Sequence, residues 1–339
     1  MAVYSATYAE VEYGLDNLYL KQMTWFGIGF VGMLIVAMTD YHFIAKGAYI
    51  FYAMILIALL LVLIIGRVTS GSQRWLSLGG FSFQPSELAK FVMILVLARY
   101  YDSSRLTGPR KIRHILIPAC LVLIPVFLII KQPDLGTALV LIFLFLSLTF
   151  IAGLSVKSVA SLSIMGLLAF PFFWSFLKDY QKTRILTLLN PDNDPLGSGY
   201  HGLQSKIAIG SGKIFGKGIF GGTQSRLNFL PEKHTDFIFS VFAEETGFVG
   251  VVILLVLYFL LLMKGVDIAS RSKDRLGAFL AAGVVCVLTF SIFVNIGMAI
   301  GIAPVVGLPL PFLSYGGSAV VTSLLGIGLL LNVGMRKFE

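Results

Sequence analysis

Asp236 is a carboxylate placed where it could act as a base. It follows Lys233-His234-Thr235 and stands directly before an apolar run that starts at Phe237. A carboxylate at the boundary between a polar and an apolar segment is partly desolvated. Partial desolvation makes it a better proton acceptor. The alternative is structural, because Thr235 or Asp236 could cap the helix that follows.

Glu87 and Lys90 form a second cluster, close behind Arg74. Pro85 fits an early helix position, and residues spaced i and i+3 share a helix face. Ionisable groups inside a membrane are costly and are functional candidates by default. The pattern predicts an ion pair between Glu87 and Lys90. It leaves open whether the pair only fixes helix register or takes part in chemistry.

A third cluster reads Lys131-Gln132-Pro133-Asp134 in a tight hairpin. Asp134 and the nearby Thr137 are residues that cap helices, so capping alone could explain them. Lys131 has no such structural explanation.

The fourth cluster is rich in glycine and lysine. It runs from Gln204 to Lys213 and continues through Lys217 to Gln224. Exposed backbone N–H groups and ammonium groups together suit phosphate. The spacing is not that of a Walker motif, and a merely solvated loop is the alternative.

The fifth cluster, residues 307–318, includes Pro309, Pro311, Ser314 and Tyr315. Proline and glycine interrupt the helix at membrane depth. Irregular backbone at that depth is tolerated only where it lines a cavity within the protein.

Composition indicates the medium that surrounds these clusters. The chain of 339 residues is 57% hydrophobic and only 13% charged. A soluble fold could not cover so much apolar surface, whereas lipid removes that requirement. The net charge of +9 fits basic cytoplasmic loops, and no basic recognition helix suggests nucleic acid. Cys120 and Cys286 lie in apolar stretches and show no metal-ligand spacing.

The fold class predicted is therefore all-α, a single polytopic membrane domain over residues 1–339. Each span needs about 20 apolar residues. Nine segments qualify: 25–43, 48–66, 85–101, 115–130, 135–153, 158–177, 237–263, 277–300 and 315–334. Lys and Arg in the short loops place the C-terminus in the cytoplasm. Nine spans then place the N-terminus outside, together with all five clusters and one large extracytoplasmic loop, 178–236.

Taken together, the clusters resemble the SEDS family of membrane glycosyltransferases that polymerise peptidoglycan, and in particular its rod-shape, RodA-type branch. The resemblance rests on KQPDLGTA at 131–138, GTQSRLNFLPEKHTDFIF at 222–239 and NIGMAIGIAPVVGLPLPFLSYGG at 295–317. It covers the chain from Tyr4 to Arg336. The family usually has ten spans, so the first helix is expected to be missing here. Lys213 stands where the family pattern has a glycine.

The resemblance implies transfer between lipid II molecules, with inversion and with undecaprenyl diphosphate as the leaving group. It implies Asp236 as the catalytic base and a class B penicillin-binding protein, a transpeptidase, as partner. No nucleotide is needed, because the activated bond is in the lipid diphosphate, and a divalent cation as cofactor is left open. A lipid II flippase, a division-type (FtsW-like) paralogue and a structural scaffold are the alternatives. The substrate-binding residues expected are Arg74, Glu87, Lys90, Lys131, Gln132, Asp134, Gln204, Lys217, His234, Ser314 and Tyr315.

Overall fold

The fold is built almost entirely from helices. The computed structural model describes residues 3–6, 18–69, 72–78, 81–104, 114–153, 179–189, 197–222 and 233–336, and the single positions 161, 164, 168 and 175. The helices are α1 (Leu18–Met38), α2 (Tyr41–Lys46), α3 (Ala48–Ile65), α4 (Pro85–Ser103), α5 (Leu116–Lys131), α6 (Leu135–Ile151), α7 (Asp179–Leu189), α8 (Ser198–Ser211), α9 (Ile238–Ser270), α10 (Arg275–Ile300) and α11 (Gly317–Met335).

Two compact units make up the chain. The first consists of Met1–Met23, Ser163–Leu260 and Ser291–Gly316. The second consists of Thr24–Leu162, Leu261–Phe290 and Gly317–Glu339. Each unit is described by itself below.

Long apolar helices confirm the multi-pass membrane class. Among the described residues, α1, α3, α9, α10 and α11 have the length and hydropathy to cross a bilayer, and α5 and α6 are shorter apolar helices. On α3, Ile57 and Ile64 are exposed, which suits a lipid-facing surface. The helix α4 is buried along most of its length and carries Glu87 and Lys90. The predicted span 158–177 lies outside the described residues except for positions 161, 164, 168 and 175.

The first predicted span, 25–43, has the wrong bounds. The helix α1 begins at Leu18 and ends at Met38, and α2 is a separate short helix. Asp40 causes the break, because its carboxylate accepts a hydrogen bond from His42 N and caps α2. The open carbonyl groups at the end of α1 are satisfied by Asn332 Nδ2, which donates to Val36 O and Thr39 O.

His42 lies between two carboxylates in the second unit. Its Nδ1 is 2.9 Å from Asp40 Oδ1 and its Nε2 is 2.7 Å from Asp274 Oδ2. Tyr41 OH also donates to Asp274 Oδ1, at 3.0 Å. Burial alone would lower the pKa of His42, but the hydrogen bonds to Asp40 and Asp274 outweigh it, and the pKa is raised. Protonated His42 therefore links α2 to the start of α10.

We expect this link to make stability depend on pH. A histidine whose pKa is raised in the folded state contributes stability that is fully present below its ordinary pKa of 6.5. That contribution is lost as pH rises through the raised value. Because His42 is half exposed, the effect is about 1 kcal/mol or less. Melting temperature measured against pH should fall across this window in the native protein. It should stay flat there in His42→Gln, and equal slopes for the two would contradict the link.

A small antiparallel sheet was not anticipated by the sequence analysis. Strands β1 (Arg67–Thr69), β2 (Ser72–Leu78) and β3 (Phe81–Phe83) lie in the order β1-β2-β3. Arg67 pairs with Trp75, and Leu76 pairs with Phe83. The sheet sits between α3 and α4, and β2 carries Arg74.

A break in α9 organises the first unit. Gly247 has φ 65° and ψ −166°, a backbone conformation that only glycine adopts readily. A Cβ there would lie 2.2 Å from Gly216 N, so the turn after α8 passes directly against the break. From Phe237 to Gly247 most residues are buried, and the exposed apolar surface begins at Phe248. The predicted span 237–263 is thus a buried segment followed by a lipid-facing helix.

The large loop predicted over 178–236 contains ordered helices in its described part. The helices α7 and α8 lie within it, and a turn follows α8. Lys213, in that turn, has φ 49°, which lies in the left-handed region that favours glycine. This conformation explains why a glycine is expected there in the family pattern.

Candidate active site

Asp236 lies in a turn just before α9, within the first unit. Asn295, fully buried in α10, donates from Nδ2 to Asp236 O at 3.1 Å and to Leu308 O at 2.7 Å. One amide group thus fixes the backbone of Asp236 to the loop that follows α10. The backbone from which the Asp236 carboxylate extends is thus held in place.

Two further hydrogen bonds join the same segments. Ser314 Oγ donates to Thr235 O at 2.7 Å and accepts from Leu310 N at 2.8 Å. Tyr315 N donates to His234 O at 2.8 Å. The 234–236 backbone is therefore bound at every residue to α10 or to the loop after it. His234 also packs edge-on against the ring of Tyr315, with ring centroids 5.8 Å apart.

The loop after α10 is non-helical, as its proline and glycine content predicts. Gly307 has φ 73°, and a Cβ there would lie 3.7 Å from Asp236 Oδ2. The loop thus passes beside the Asp236 carboxylate. Gln22 binds the far end of this loop. The Nε2 of Gln22 donates to Ser314 O, and its Oε1 accepts from Gly316 N. Asn295 and Ser314 thus bind the backbone at Asp236 and Thr235, and Gln22 binds the loop beside it.

Lys217 contacts a buried carboxylate. Its Nζ is 2.7 Å from Glu244 Oε1, which also accepts from Ser211 Oγ at 3.3 Å. The backbone N–H groups of Lys217 and Gly218 donate to the carbonyls of Glu244 and Glu245. These two N–H groups thus satisfy carbonyls at the break in α9. A phosphate-binding role for this turn stays a prediction, as it does for Gln204 on α8.

The neighbouring Glu245 has a packing role of the same kind. Its Oε1 accepts from Ser5 Oγ and from Phe220 N, the latter at 3.2 Å. Both glutamates are buried. Through these hydrogen bonds the two glutamates pack α9 against the turn after α8.

The cluster around Asp134 belongs to the second unit. Asp134 Oδ2 accepts from Gln84 Nε2 at 3.1 Å and from Ser86 Oγ at 2.9 Å. Its Oδ1 accepts from Thr137 N at 3.2 Å, which confirms the predicted cap of α6. Gln84 N donates to Ser318 Oγ at 2.9 Å, which ties the start of α4 to α11.

Arg74 and Gln132 bind backbone carbonyls in this unit. Arg74 Nε donates to Gln132 O at 3.2 Å, and its Nη2 donates to Pro133 O. Gln132 Nε2 donates to Leu59 O at 2.9 Å. Arg74 thus orders the hairpin that presents Lys131. Lys131 itself is exposed, with its ammonium 5.4 Å from the centre of the Phe127 ring.

Glu87 and Lys90 pair as their spacing predicts. The distance from Lys90 Nζ to Glu87 Oε2 is 2.7 Å, and the side chains are only 6% and 5% exposed. The predicted ion pair is confirmed. Whether it touches substrate stays a prediction.

The sequence analysis left Asn295, Gln84, Ser86 and Gln22 out of its site residues. Asn295 could have been found, because a buried amide in an apolar span must use its hydrogen bonds within the protein. The partners of Gln22 are nearly three hundred residues away, and no local signal reveals them. Within the described part of the chain, no three His, Cys, Asp or Glu side chains group as a metal site.

Comparisons with known proteins agree with this architecture. The family model FtsW/RodA/SpoVE, described as cell cycle protein, matches residues 1–338. Peptidoglycan glycosyltransferase MrdB of Escherichia coli K12 is 42% identical over 339 residues, covering 99% of this chain and 91% of the relative. Two solved structures also match over the whole chain. One is described as a peptidoglycan synthase complex that coordinates polymerization and crosslinking; it has 34% identity, a TM-score of 0.81 and 96% of that chain covered.

The other solved structure is the rod shape determining protein RodA of Thermus thermophilus, with 30% identity, a TM-score of 0.71 and 94% of that chain covered. The family match extends over nearly every residue, including the segments that hold Asp236 and the Glu87–Lys90 pair. The chain belongs to the FtsW/RodA/SpoVE family of cell cycle proteins.

Proposed function

We propose that this protein is a peptidoglycan glycosyltransferase that polymerises lipid II during cell elongation. The observation that carries the proposal is the fixed backbone at Thr235 and Asp236, which Ser314 and Asn295 bind, together with Gly307, which lies beside the Asp236 carboxylate. The names of the relative MrdB and of the RodA structure support the reaction class.

The reaction needs one base and one stabilised leaving group. The 4-hydroxyl of the acceptor GlcNAc attacks C1 of the donor MurNAc and gives its proton to the Asp236 carboxylate. A β-1,4 bond forms with inversion, and the bond from C1 to the diphosphate oxygen breaks. Undecaprenyl diphosphate then leaves with both bonding electrons, so no nucleotide and no redox partner is needed.

Cations stabilise the diphosphate as its charge develops. Lys131 is exposed and suits this role directly. His234, Tyr315 and Lys217 hold the backbone next to Asp236 and the break in α9, so we assign them to shaping the site. Arg74 is assigned to holding the hairpin that carries Lys131. Glu87 and Lys90 supply a buried neutral pair that keeps α4 rigid.

The membrane setting fits this chemistry. Lipid II polymerisation takes place on the extracytoplasmic face of the plasma membrane, and the distribution of Lys and Arg in the sequence assigns the Asp236 segment to that face. A class B penicillin-binding protein is the proposed partner. The related structure described as a peptidoglycan synthase complex supports an assembly of this kind.

The test is glycan synthesis by the purified protein in lipid vesicles. Lipid II should be converted to long glycan strands, and the product should be sensitive to a muramidase. A flippase would move labelled lipid II across the bilayer and make no strands. A preparation that retains its native melting transition but yields only transport would overturn the proposal.

Asn295→Ala tests how far activity depends on the support of Asp236. The change removes both hydrogen bonds that Asn295 donates, so the Asp236 carbonyl is no longer joined to α10 and Leu308, while the bonds of Thr235 and His234 remain. A displacement of about 1 Å can cost about 100-fold in rate. We expect kcat to fall by about that much and KM for lipid II to change little. A large KM rise with normal kcat would show that Asn295 serves binding instead.

A further inference from the structure

A pocket in the first unit is separate from the residues assigned above. Its walls come from α7, α8, the end of α10 and residues 301–305. Its empty volume is about 500 Å³. This figure includes space open to the solvent, so the pocket suits a small charged head group, and the rest of a larger molecule would extend outside it.

Among the residues that the structure describes, two cations line this pocket, Arg184 and Lys206, and no carboxylate does. Arg184 Nη1 donates to Val305 O at 3.0 Å, which fixes the guanidinium at the wall. Lys206 is exposed on α8, and among the described residues no carboxylate pairs with it. The pocket is therefore positively charged, and it suits an anion.

Lys206 lies against Gly301, and only a glycine at position 301 leaves room for the lysine side chain. Gly301 has φ 75°, and a Cβ there would lie 2.5 Å from Lys206 Nζ. Any other residue at 301 would push the ammonium away from this place. The conformation of the loop and the position of the lysine thus depend on the same glycine.

Gly202 leaves part of the pocket open. It lies inside α8, where glycine costs roughly 1 kcal/mol relative to alanine. A Cβ at Gly202 would meet no atom within 4 Å, so packing does not require a glycine here. The open space it leaves belongs to the pocket.

The remaining lining is apolar, including Leu188, Leu203 and Met298. A site with two cations at an apolar wall matches an amphiphile, because phosphate oxygens bind the cations and a hydrocarbon chain contacts the wall. The pocket is also connected to the catalytic segment. Val305, which binds Arg184, stands just before Gly307, the residue beside the Asp236 carboxylate.

We propose that this pocket binds the phosphate head group of an anionic lipid, with Arg184 and Lys206 as its cations. The proposal rests on the proposed function for the identity of one source, a polyprenyl diphosphate. The other source with the same chemistry is a membrane phospholipid such as phosphatidylglycerol.

Filling the pocket tests the proposal without changing charge. Gly202→Leu should fold normally, because no atom lies within 4 Å of its Cβ. Gly210→Leu is the matched control, since Gly210 lies on the same helix with the same open space and does not line the pocket. The measurement is binding of farnesyl diphosphate to the full-length protein in detergent. Gly202→Leu should weaken binding about tenfold or more, and Gly210→Leu should leave it unchanged.

Removing charge gives a second, independent test. Lys206→Gln should weaken farnesyl diphosphate binding about tenfold or more, since a charge-assisted contact is lost. Lys264→Gln removes an exposed lysine on α9 that does not line the pocket, and it should have no effect. If Gly202→Leu, Lys206→Gln and the two controls bound farnesyl diphosphate with equal affinity, the proposal that this pocket binds a lipid phosphate would be wrong.

Competition identifies the source of the phosphate. Displacement of farnesyl diphosphate by phosphatidylglycerol in nanodiscs would assign the site to membrane phospholipid. Resistance to phosphatidylglycerol would assign it to the polyprenyl diphosphate. Glycan synthesis by the native protein is measured in parallel. If the native protein synthesises glycan but the pocket variants bind farnesyl diphosphate as tightly as it does, only the lipid-binding proposal is wrong. If the pocket variants lose binding but the native protein synthesises no glycan, only the proposed function is wrong.

Discussion

Asp236→Asn is expected to abolish glycan polymerisation while leaving the protein folded and inserted. Asparagine has nearly the same shape, but it cannot accept the acceptor proton. Loss of a general base costs about 10²- to 10⁴-fold in rate. The bonds that position this residue run through its backbone carbonyl, from Asn295, and through the backbone of its neighbours. The substitution leaves those bonds in place. The measurement is the rate of glycan synthesis from lipid II by purified protein.

Asp267→Asn is the matched control for this change. Asp267 forms an exposed ion pair with Arg271 near the end of α9, far along the chain from the catalytic segment. The control should keep its full polymerisation rate, and both variants should melt as the native protein does. Near-normal polymerisation by Asp236→Asn would remove Asp236 from the role of base. Loss of polymerisation alone would not exclude the alternative that Asp236 only caps the helix. Equal melting temperatures for the variant and the native protein are therefore part of the expected result.

Features that depend on nearby residues could be predicted from the sequence. The Glu87–Lys90 pair follows from i, i+3 spacing on one helix, and the cap at Asp134 follows from residue type at a helix start. The membrane class follows from composition alone. In each case the partners lie within a few residues, so no knowledge of the tertiary fold is needed.

Features that join distant segments could not be predicted. Lys217 pairs with Glu244 only because α9 breaks at Gly247 and the turn after α8 passes against it. In the sequence, the same glycines fit a phosphate cradle or a close backbone approach equally well. The sheet was missed because its strands hold only three to seven residues and lie between two apolar helices. The first span was misplaced because hydropathy does not register the cap at Asp40.

Removing either member of the Glu87–Lys90 pair is expected to be strongly destabilising. Both side chains are almost fully buried, and their charged atoms lie 2.7 Å apart. Loss of one partner leaves an uncompensated charge in a medium of low polarity, which costs about 3–5 kcal/mol. Glu87→Gln and Lys90→Met should therefore each lower the melting temperature sharply. The double variant should be closer to native than the sum of the two single losses predicts.

The exposed pair Asp267–Arg271 is the control for this double-mutant cycle. Its side chains are 39% and 62% exposed, and such pairs contribute about 0.3–0.5 kcal/mol. The coupling energy of Glu87 with Lys90 should exceed that of Asp267 with Arg271 several-fold. Exchanging the two buried charges should recover part of the loss, because it restores neutrality with altered geometry. If the cycle gave no coupling energy for Glu87 and Lys90, the two side chains would not be paired in the membrane, and α4 would need another source of charge compensation.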